Sequence, residues 1–407
     1  MQQQIGFCST QDGARIAYAT VGTGPALIFA QWASHLELEW EEPRVRDFWE
    51  TIGHHHTVVR YDKHGCGLSD RNRTDFSLDS EVRTIEAVVK ELALKSFVLW
   101  GQGGGAAPAI AYAAKSPHRV SHLILSNTEA RWHGELPSGS DLDQDTLRAL
   151  VLSNSRIALL ALVEAALGNS FDASSLRWFC RTRQESLTPE IHAQLATVFW
   201  KTDVRDLLPK VSVPTLVAHY RNNRFVTFEG GREVAAGIPG ARFVPLEGNS
   251  HFFFFSDTRP LRCAIAEFLG DPIGEVERPS TDAAKALSAP ESVQGVFRRE
   301  GEFWTISCWG EVFRLRDVRG LSYIAHLLGH PREELHVLSL ASNSGGSQGE
   351  LAETGAEAQV AQSDLTVGVW AMPGRCWTLR LRRPTGSEPQ SYASSLRKLA
   401  SSSSLSV

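Results

Sequence analysis

The stretch Ser96-Phe97-Val98-Leu99-Trp100-Gly101-Gln102-Gly103-Gly104-Gly105 carries the central signal of this chain. Its first half is a short apolar run of the kind buried on both faces of a parallel sheet. It stops in glycines just where a helical pattern, residues 106–115, begins. Glycines at such a junction let a strand and the following helix approach closely. Outward from this point the same rhythm repeats. Residues 26–30, 57–61, 122–126, 215–219 and 241–245 are further short apolar runs, and 78–94 is a helical pattern between two of them. Residues 15–19 alternate like an early antiparallel strand, and Gly22-Thr23-Gly24-Pro25 is a turn. Strands alternating with helices imply an α/β unit, here 1–272, built on a mostly parallel twisted sheet covered on both faces.

Between about 130 and 206 the rhythm breaks. The periodicity there is helical, as in 147–167 and 191–200, which predicts a helical lid over the carboxyl edge of the sheet. Residues 273–294 are rich in Glu, Pro, Ser and Ala and read as a linker. A small α+β C-terminal module is expected at 295–341. In it Phe303-Trp304-Thr305-Ile306-Ser307 pairs with Glu311-Val312-Phe313-Arg314-Leu315 through Trp309-Gly310, and a helix over 321–328 is capped by Gly329. Residues 342–407 are expected to form a flexible tail, being rich in Ser, Gly, Glu and Ala up to 363 and ending near Ser401-Ser402-Ser403-Ser404.

Composition narrows the function classes. Of 407 residues 42% are hydrophobic and 21% charged, ordinary proportions for a chain that buries a core. Basic residues number 41 against 46 acidic, a net charge of −5, so no excess is available to neutralise a nucleic-acid backbone. No run approaches the roughly 18 apolar residues of a membrane span. Met1-Gln2-Gln3-Gln4-Ile5 has neither the basic stretch nor the apolar core of a signal peptide, so a cytoplasmic location is expected. The cysteines at 8, 66, 180, 263, 308 and 376 show no CxxC pairing, and consecutive His54-His55-His56 cannot all face one ion, so neither a metal nor a cofactor is expected.

Gly101 to Gly105 occupies the context of a nucleophile elbow, G-x-S-x-G, whose central residue sits on a strained turn at a helix N-terminus. Further stretches agree with the same family in order: Asp12-Gly13-Ala14-Arg15-Ile16-Ala17-Tyr18, Arg60-Tyr61-Asp62-Lys63-His64-Gly65-Cys66-Gly67-Leu68-Ser69-Asp70, Asp203-Val204-Arg205-Asp206-Leu207-Leu208-Pro209 and Ile238-Pro239-Gly240-Ala241-Arg242-Phe243. On these residues the first 270 positions resemble an α/β-hydrolase, closest to a bacterial subgroup often joined to adenylate-cyclase or transcription-regulator modules. Residues 297–340, with Arg298-Arg299-Glu300-Gly301-Glu302-Phe303-Trp304, resemble a small module of some bacterial regulators, which implies a protein partner for the C-terminal module.

The resemblance implies a Ser–acid–His triad, and two of its members are replaced here. The nucleophile position is Gly103, and the acid position in Arg221-Asn222-Asn223-Arg224 is Asn223. The base in Leu246-Glu247-Gly248-Asn249-Ser250-His251 is retained as His251. An acid placed after the preceding strand falls at Asn127, with Glu129 two residues on as an alternative acid. Oxyanion-hole donors are implied at Gly104 and near Gln31 and Trp32; being backbone groups, they survive the loss of the serine. Gln102 would place an amide near the site. Cys66 lies in a turn that the subgroup shares and reads as structural, and Trp178, Phe179, Phe199 and Trp200 read mostly as core with some cavity wall. The Phe252-Phe253-Phe254-Phe255 run reads as half core, half pocket wall.

Glycine offers no atom for an acyl-enzyme, and asparagine cannot stabilise an imidazolium; in serine proteases the Asp-to-Asn change costs about 10⁴ in turnover. Three readings follow. The first is a non-hydrolytic enzyme of decarboxylase, lyase or isomerase type on a small apolar carbonyl compound, using the oxyanion hole and His251 as acid. The chain resembles plant methylketone synthases in fold and in a triad reduced to small residue, Asn and His, and those enzymes decarboxylate 3-keto acids. The second is a catalytically inactive homologue that senses an ester-like or carbonyl ligand. The third, a serine esterase with its nucleophile replaced, explains Gly103 but not Asn223. Retention of His251 in its expected context favours the first.

Overall fold

The computed structural model describes residues 1–73, 75–131, 159, 173–223, 225–272, 296–308, 311–317, 321–325, 334–336, 366–370 and 378–382. Contacts divide the chain into two units, Met1–Ala289 and Pro290–Val407.

The first unit is built on an eight-stranded sheet. Its strands are β1 (Gln4–Ser9), β2 (Arg15–Val21), β3 (Ala26–Ala30), β4 (Thr57–Asp62), β5 (Phe97–Gln102), β6 (Val120–Ser126), β7 (Thr215–Tyr220) and β8 (Arg242–Leu246), in the order β1-β2-β4-β3-β5-β6-β7-β8. The edge strands β1 and β2 pair antiparallel, as do β2 and β4, and every other pairing is parallel. β3, β5 and β7 are buried along their whole length, which is why they read as largely apolar runs.

Helices cover both faces: α1 (Leu36–Glu41), α2 (Pro43–Gly53), α3 (Leu78–Glu91), α4 (Ala106–Lys115), α5 (Ala173–Ser186), α6 (Pro189–Lys201), α7 (Phe228–Gly237) and α8 (Arg259–Leu269). Strand alternation divides the core into two layers. Ile28, Val59, Leu99 and Val217 pack against α3, α4 and α7 through Ile85, Val88, Ile110 and Val234. Leu27, Phe29, Val58, Val98 and Trp100 pack against α2 and α8 through Phe48, Trp49, Leu261 and Ile265. At roughly 25 cal/mol per Å² of apolar surface buried, these layers supply most of the driving force for folding.

The segment expected to be helical, 130–206, is described only in part. α5 and α6 are helical, and an antiparallel bridge between Arg131 and Asp203 closes the base of the insertion. The expected helix over 147–167 lies outside the described residues, save residue 159. So does the linker 273–294.

In the second unit β9 (Val296–Glu300), β10 (Phe303–Cys308) and β11 (Glu311–Arg316) form an antiparallel sheet in the order β11-β10-β9. The expected hairpin is present, with Phe303 opposite Arg316 and Cys308 opposite Glu311, while its turn at 309–310 lies outside the described residues. Residues 321–325 are helical; Gly329 is not described. Buried Trp304 meets Phe297 at 5.0 Å and donates its indole N–H to Asp317 at 2.6 Å.

The flexible-tail expectation for 342–407 needs correcting. β13 (Thr366–Trp370) and β14 (Thr378–Arg382) pair with each other, and β13 with β12 (Glu334–His336), as an antiparallel sheet. Thr366-Val367-Gly368-Val369-Trp370 is rich in β-branched and aromatic residues, a strand signal that the polar stretch before it obscured. No helix among the described residues is long and apolar enough to cross a membrane.

Candidate active site

Gly103 stands at the carboxyl end of β5, opening a 3₁₀ turn, Gly103–Gly105, that runs into α4. Its φ is +55°, a left-handed conformation that glycine adopts freely and other residues only with strain. The flanking glycines are needed for closeness. A Cβ on Gly101 would meet the Cα of Ala106 at 2.6 Å, and one on Gly105 would meet the carbonyl oxygen of Ala30 at 2.2 Å. The elbow therefore lies directly on the end of β3, beside Gln31 and Trp32.

A Cβ placed on Gly103 would point at the His251 ring, 3.2 Å from Nε2 and 3.3 Å from Cε1. The nucleophile position and the retained histidine thus meet. The loop carrying His251 is held from beneath. Gln102 donates its amide to the His251 carbonyl at 3.0 Å, and Asn127 donates to the carbonyls of Ser250 and His251 at 3.0 and 2.9 Å. Asn127 accepts in turn from the Tyr220 backbone N–H at 3.2 Å and takes a φ of +47°. Gln102 accordingly faces the histidine loop rather than a ligand. Asn127 is a clamp whose role no sequence pattern signals.

The environment of His251 sets its protonation. The side chain is buried between Phe225 and Phe252, with ring centroids 4.6 and 5.1 Å away. Burial, with smaller contributions from His219 and the Arg183 guanidinium, pulls its pKa down to about 3. The ring is therefore neutral near pH 7 and carries one proton on one nitrogen.

Asn223 determines which nitrogen. Its Oδ1 accepts from the backbone N–H groups of Phe225 at 2.8 Å and Val226 at 3.2 Å, so its amide NH₂ is the group facing His251 Nδ1, at 3.4 Å. An N–H facing Nδ1 requires Nδ1 to accept, which leaves the proton on Nε2. In a Ser-His-Asp triad the polarity is reversed: the carboxylate accepts from Nδ1–H and Nε2 is the base. Here Nε2 presents a hydrogen to the space above Gly103. In that state the neutral imidazole offers a hydrogen-bond donor at Nε2.

A cavity of about 30 Å³ lies over the elbow, lined among others by Trp32, Gly103, Gly104, Glu129 and, from α6, Leu195 and Phe199. The absence of a side chain at Gly104 creates room here, since a Cβ would meet Trp32 Cδ1 at 2.6 Å and Phe199 at 3.2 Å. Gln31 turns its amide to the Glu39 carboxylate, at 3.0 and 3.1 Å, so only its backbone remains near the elbow. Glu129 is buried, lines this cavity, and packs against the start of α7 at Gly230. The side chain facing His251 Nδ1 is that of Asn223, at 3.4 Å, while Glu129 lines the cavity over the elbow.

The remaining candidates fall where their chemistry suggests. Cys66 is fully buried, and burial pushes its thiol up to about 12, a protonated and unreactive state. His56 bonds Asp271 at 2.8 Å and sits beside the Pro25 carbonyl. A second cavity, about 40 Å³, is bounded by Trp178, Phe179, Thr182 and Arg183 of α5, by Gln31, and by Phe252, Phe254 and Phe255. Phe253 instead fills the core. Arg183 escaped the sequence reading, although its spacing of four from Phe179 was a signal that both face one way.

A family model for the alpha/beta hydrolase fold matches residues 27–258, more than half of the chain. The chain belongs to the α/β-hydrolase family. An AB hydrolase superfamily protein, YisY, of Bacillus subtilis is 25% identical over 64% of this chain and 98% of the relative. A non-heme chloroperoxidase of Streptomyces lividans is 23% identical over 61% of this chain and 93% of its own length. Among solved structures, the enol-lactonase of Burkholderia xenovorans superposes with a TM-score of 0.56 at 20% identity, covering 65% of this chain and all of the other. An esterase of Exiguobacterium antarcticum gives 0.57 at 22%, over 65% and 99%. Likeness at this level establishes the α/β-hydrolase fold and leaves the chemistry to the site.

Proposed function

We propose that this α/β-hydrolase-fold protein is a non-hydrolytic enzyme that holds a small carbonyl compound at the elbow and promotes a reaction through its enolate, of isomerase or lyase type. The contact between Asn223 and His251 carries this reading, because it sets a hydrogen-bond donor, Nε2–H, where a hydrolase has a base. The carbonyl oxygen would accept from His251 Nε2–H and from backbone amides at Gly104 and Trp32. Negative charge building on that oxygen would then meet preorganised donors. Glu129, in the same cavity, would take the proton from the α-carbon; the C–H pair becomes the C=C bond of the enolate and the carbonyl π pair moves onto oxygen. A carboxylate base working with a neutral histidine donor is an established pairing for enolisation.

The test is exchange at carbon. The wild-type chain is incubated in D₂O with a series of straight-chain ketones and oxo acids, and loss of the α-proton signal is followed by NMR. Exchange above the buffer rate that vanishes in His251→Phe and falls in Glu129→Gln supports the proposal. Binding of the same compounds with neither exchange nor turnover refutes it in favour of a ligand-binding protein. Ester cleavage by the wild type refutes the non-hydrolytic reading.

A further inference from the structure

Two arginines near the Glu39 carboxylate are treated differently: Arg60 is fully buried, whereas Arg183 is half-buried and lines the second cavity. Arg60 is fully compensated: its guanidinium meets the Glu39 carboxylate at 3.1 Å and the Gln3 side-chain oxygen at 2.6 Å. Arg183 has no carboxylate within ion-pair distance among the described residues; the rings of Trp32 and Phe179 are each centred 5.2 Å from its guanidinium carbon, and the Glu39 carboxylate, which lines the same cavity, acts on it at longer range. The nearby carboxylate of Glu39 is already engaged by Arg60 and Gln31. Burial pulls the Arg183 pKa down to about 10, which still leaves it charged at neutral pH. That charge is felt by His251 and also by His192, whose pKa burial and then Arg183 push down to about 3.

A second observation lies in the next residue. The Thr182 hydroxyl is buried and has no hydrogen-bond partner, and Thr182 and Arg183 line the same cavity. A half-buried guanidinium without an ion pair and a buried, unused hydroxyl both gain from a partner. Rings on the guanidinium leave its N–H edge for a planar acceptor, and carboxylate geometry matches that fork.

We infer that the ligand of this protein is an oxo acid, whose carboxylate enters the second cavity and is held by Arg183 and Thr182. This rests on the carbonyl reading above for the other end of the molecule. Trp32 joins the two ends: its indole edge borders Gly104 and its ring faces Arg183. A carboxylate paired with Arg183 is an anchor and not a leaving group, since departure of CO₂ would discard the ion pair. Among enolate reactions the assignment therefore selects those in which the carboxylate is retained.

Binding to the full-length chain is measured by tryptophan fluorescence and ligand-observed NMR. The probes are 4-oxopentanoate, 5-oxohexanoate and 6-oxoheptanoate, their methyl esters, and hexanoate as an acid without a carbonyl. The wild type is expected to prefer at least one oxo acid over its ester by about tenfold or more, the scale of a buried charged hydrogen bond. Arg183→Met is expected to abolish that preference, and Arg183→Lys to retain part of it. Equal binding of acids and esters by the wild type, or no binding of any acid, overturns the inference without recourse to a variant. If hexanoate binds as well as the oxo acids and its binding still needs Arg183, the carboxylate site stands and the carbonyl reading falls.

Discussion

Replacing Asn223 by aspartate reverses the polarity of the histidine. The backbone donors at Phe225 and Val226 hold one oxygen of the new carboxylate as they hold the amide oxygen now, so the other faces His251 Nδ1 at 3.4 Å. A full charge at that distance, in an effective dielectric of about 20, contributes about 5 kcal/mol to the imidazolium. That is an upper figure of about 3 to 4 pK units. The His251 pKa should rise from about 3 in the wild type to about 6 in Asn223→Asp. The neutral ring should also exchange tautomers, from Nε2–H to Nδ1–H, because a carboxylate can only accept. Nitrogen-15 spectra of the histidine side chains read both quantities. The wild type should show a pyridine-type Nδ1 and a pyrrole-type Nε2, with no titration of this ring down to pH 5. A wild-type ring protonated on Nδ1, or a variant whose pKa stays near that of the wild type, would sink the argument from Asn223.

Restoring the family's nucleophile gives a second test. Gly103→Ser alone should form no acyl-enzyme with p-nitrophenyl acetate, whereas Gly103→Ser with Asn223→Asp should show a burst, the aspartate being worth about 10⁴ in turnover. The strained φ at 103 should cost the serine variants about 1–2 kcal/mol of stability, visible in urea unfolding. Gly105→Ala drives a methyl onto the Ala30 carbonyl and should cost about 2–3 kcal/mol, measured as a lower Tm; Gly240→Ala, with nothing within 4 Å, should cost about 1 kcal/mol from its φ of +72° alone. Acid should destabilise the fold through its buried neutral histidines. His251 and His219 have native pKa values of about 3 and 4, below their ordinary 6.5, so the unfolded state binds the extra protons. Their contribution is intact above about pH 6.5 and is lost as pH falls through that range toward 3, at up to about 1.4 kcal/mol per pH unit for each. A urea midpoint that does not fall between pH 6.5 and 4.5 would count against that burial.

Much of the architecture was legible because parallel strands are buried on both faces. Residues 26–30, 57–61, 97–101 and 215–219 are mostly apolar for that reason, with Arg60 and His219 the basic exceptions, and the glycines of the elbow had to be small for β5 and α4 to touch. The strands at 366–370 and 378–382 escaped notice because local composition around them is polar. Within the site, Gly103, Asn223 and His251 were found by position, and the structure brings all three together. Gln102 turns its amide beneath the histidine loop, a matter of rotamer that spacing does not reveal.

By itself the sequence determined the α/β-hydrolase fold and the absence of a serine at the elbow, since both are properties of residue type at a given place along the chain. The tertiary structure alone decided the state of the histidine, because a tautomer depends on which atom of Asn223 is already engaged by the Phe225 and Val226 backbone. It also decided that Arg183 is a half-buried charge without an ion pair among the described residues while Arg60 is fully buried and compensated. Both arginines look alike in the sequence; burial and the distance to the nearest carboxylate set them apart, and these exist only once the chain has folded.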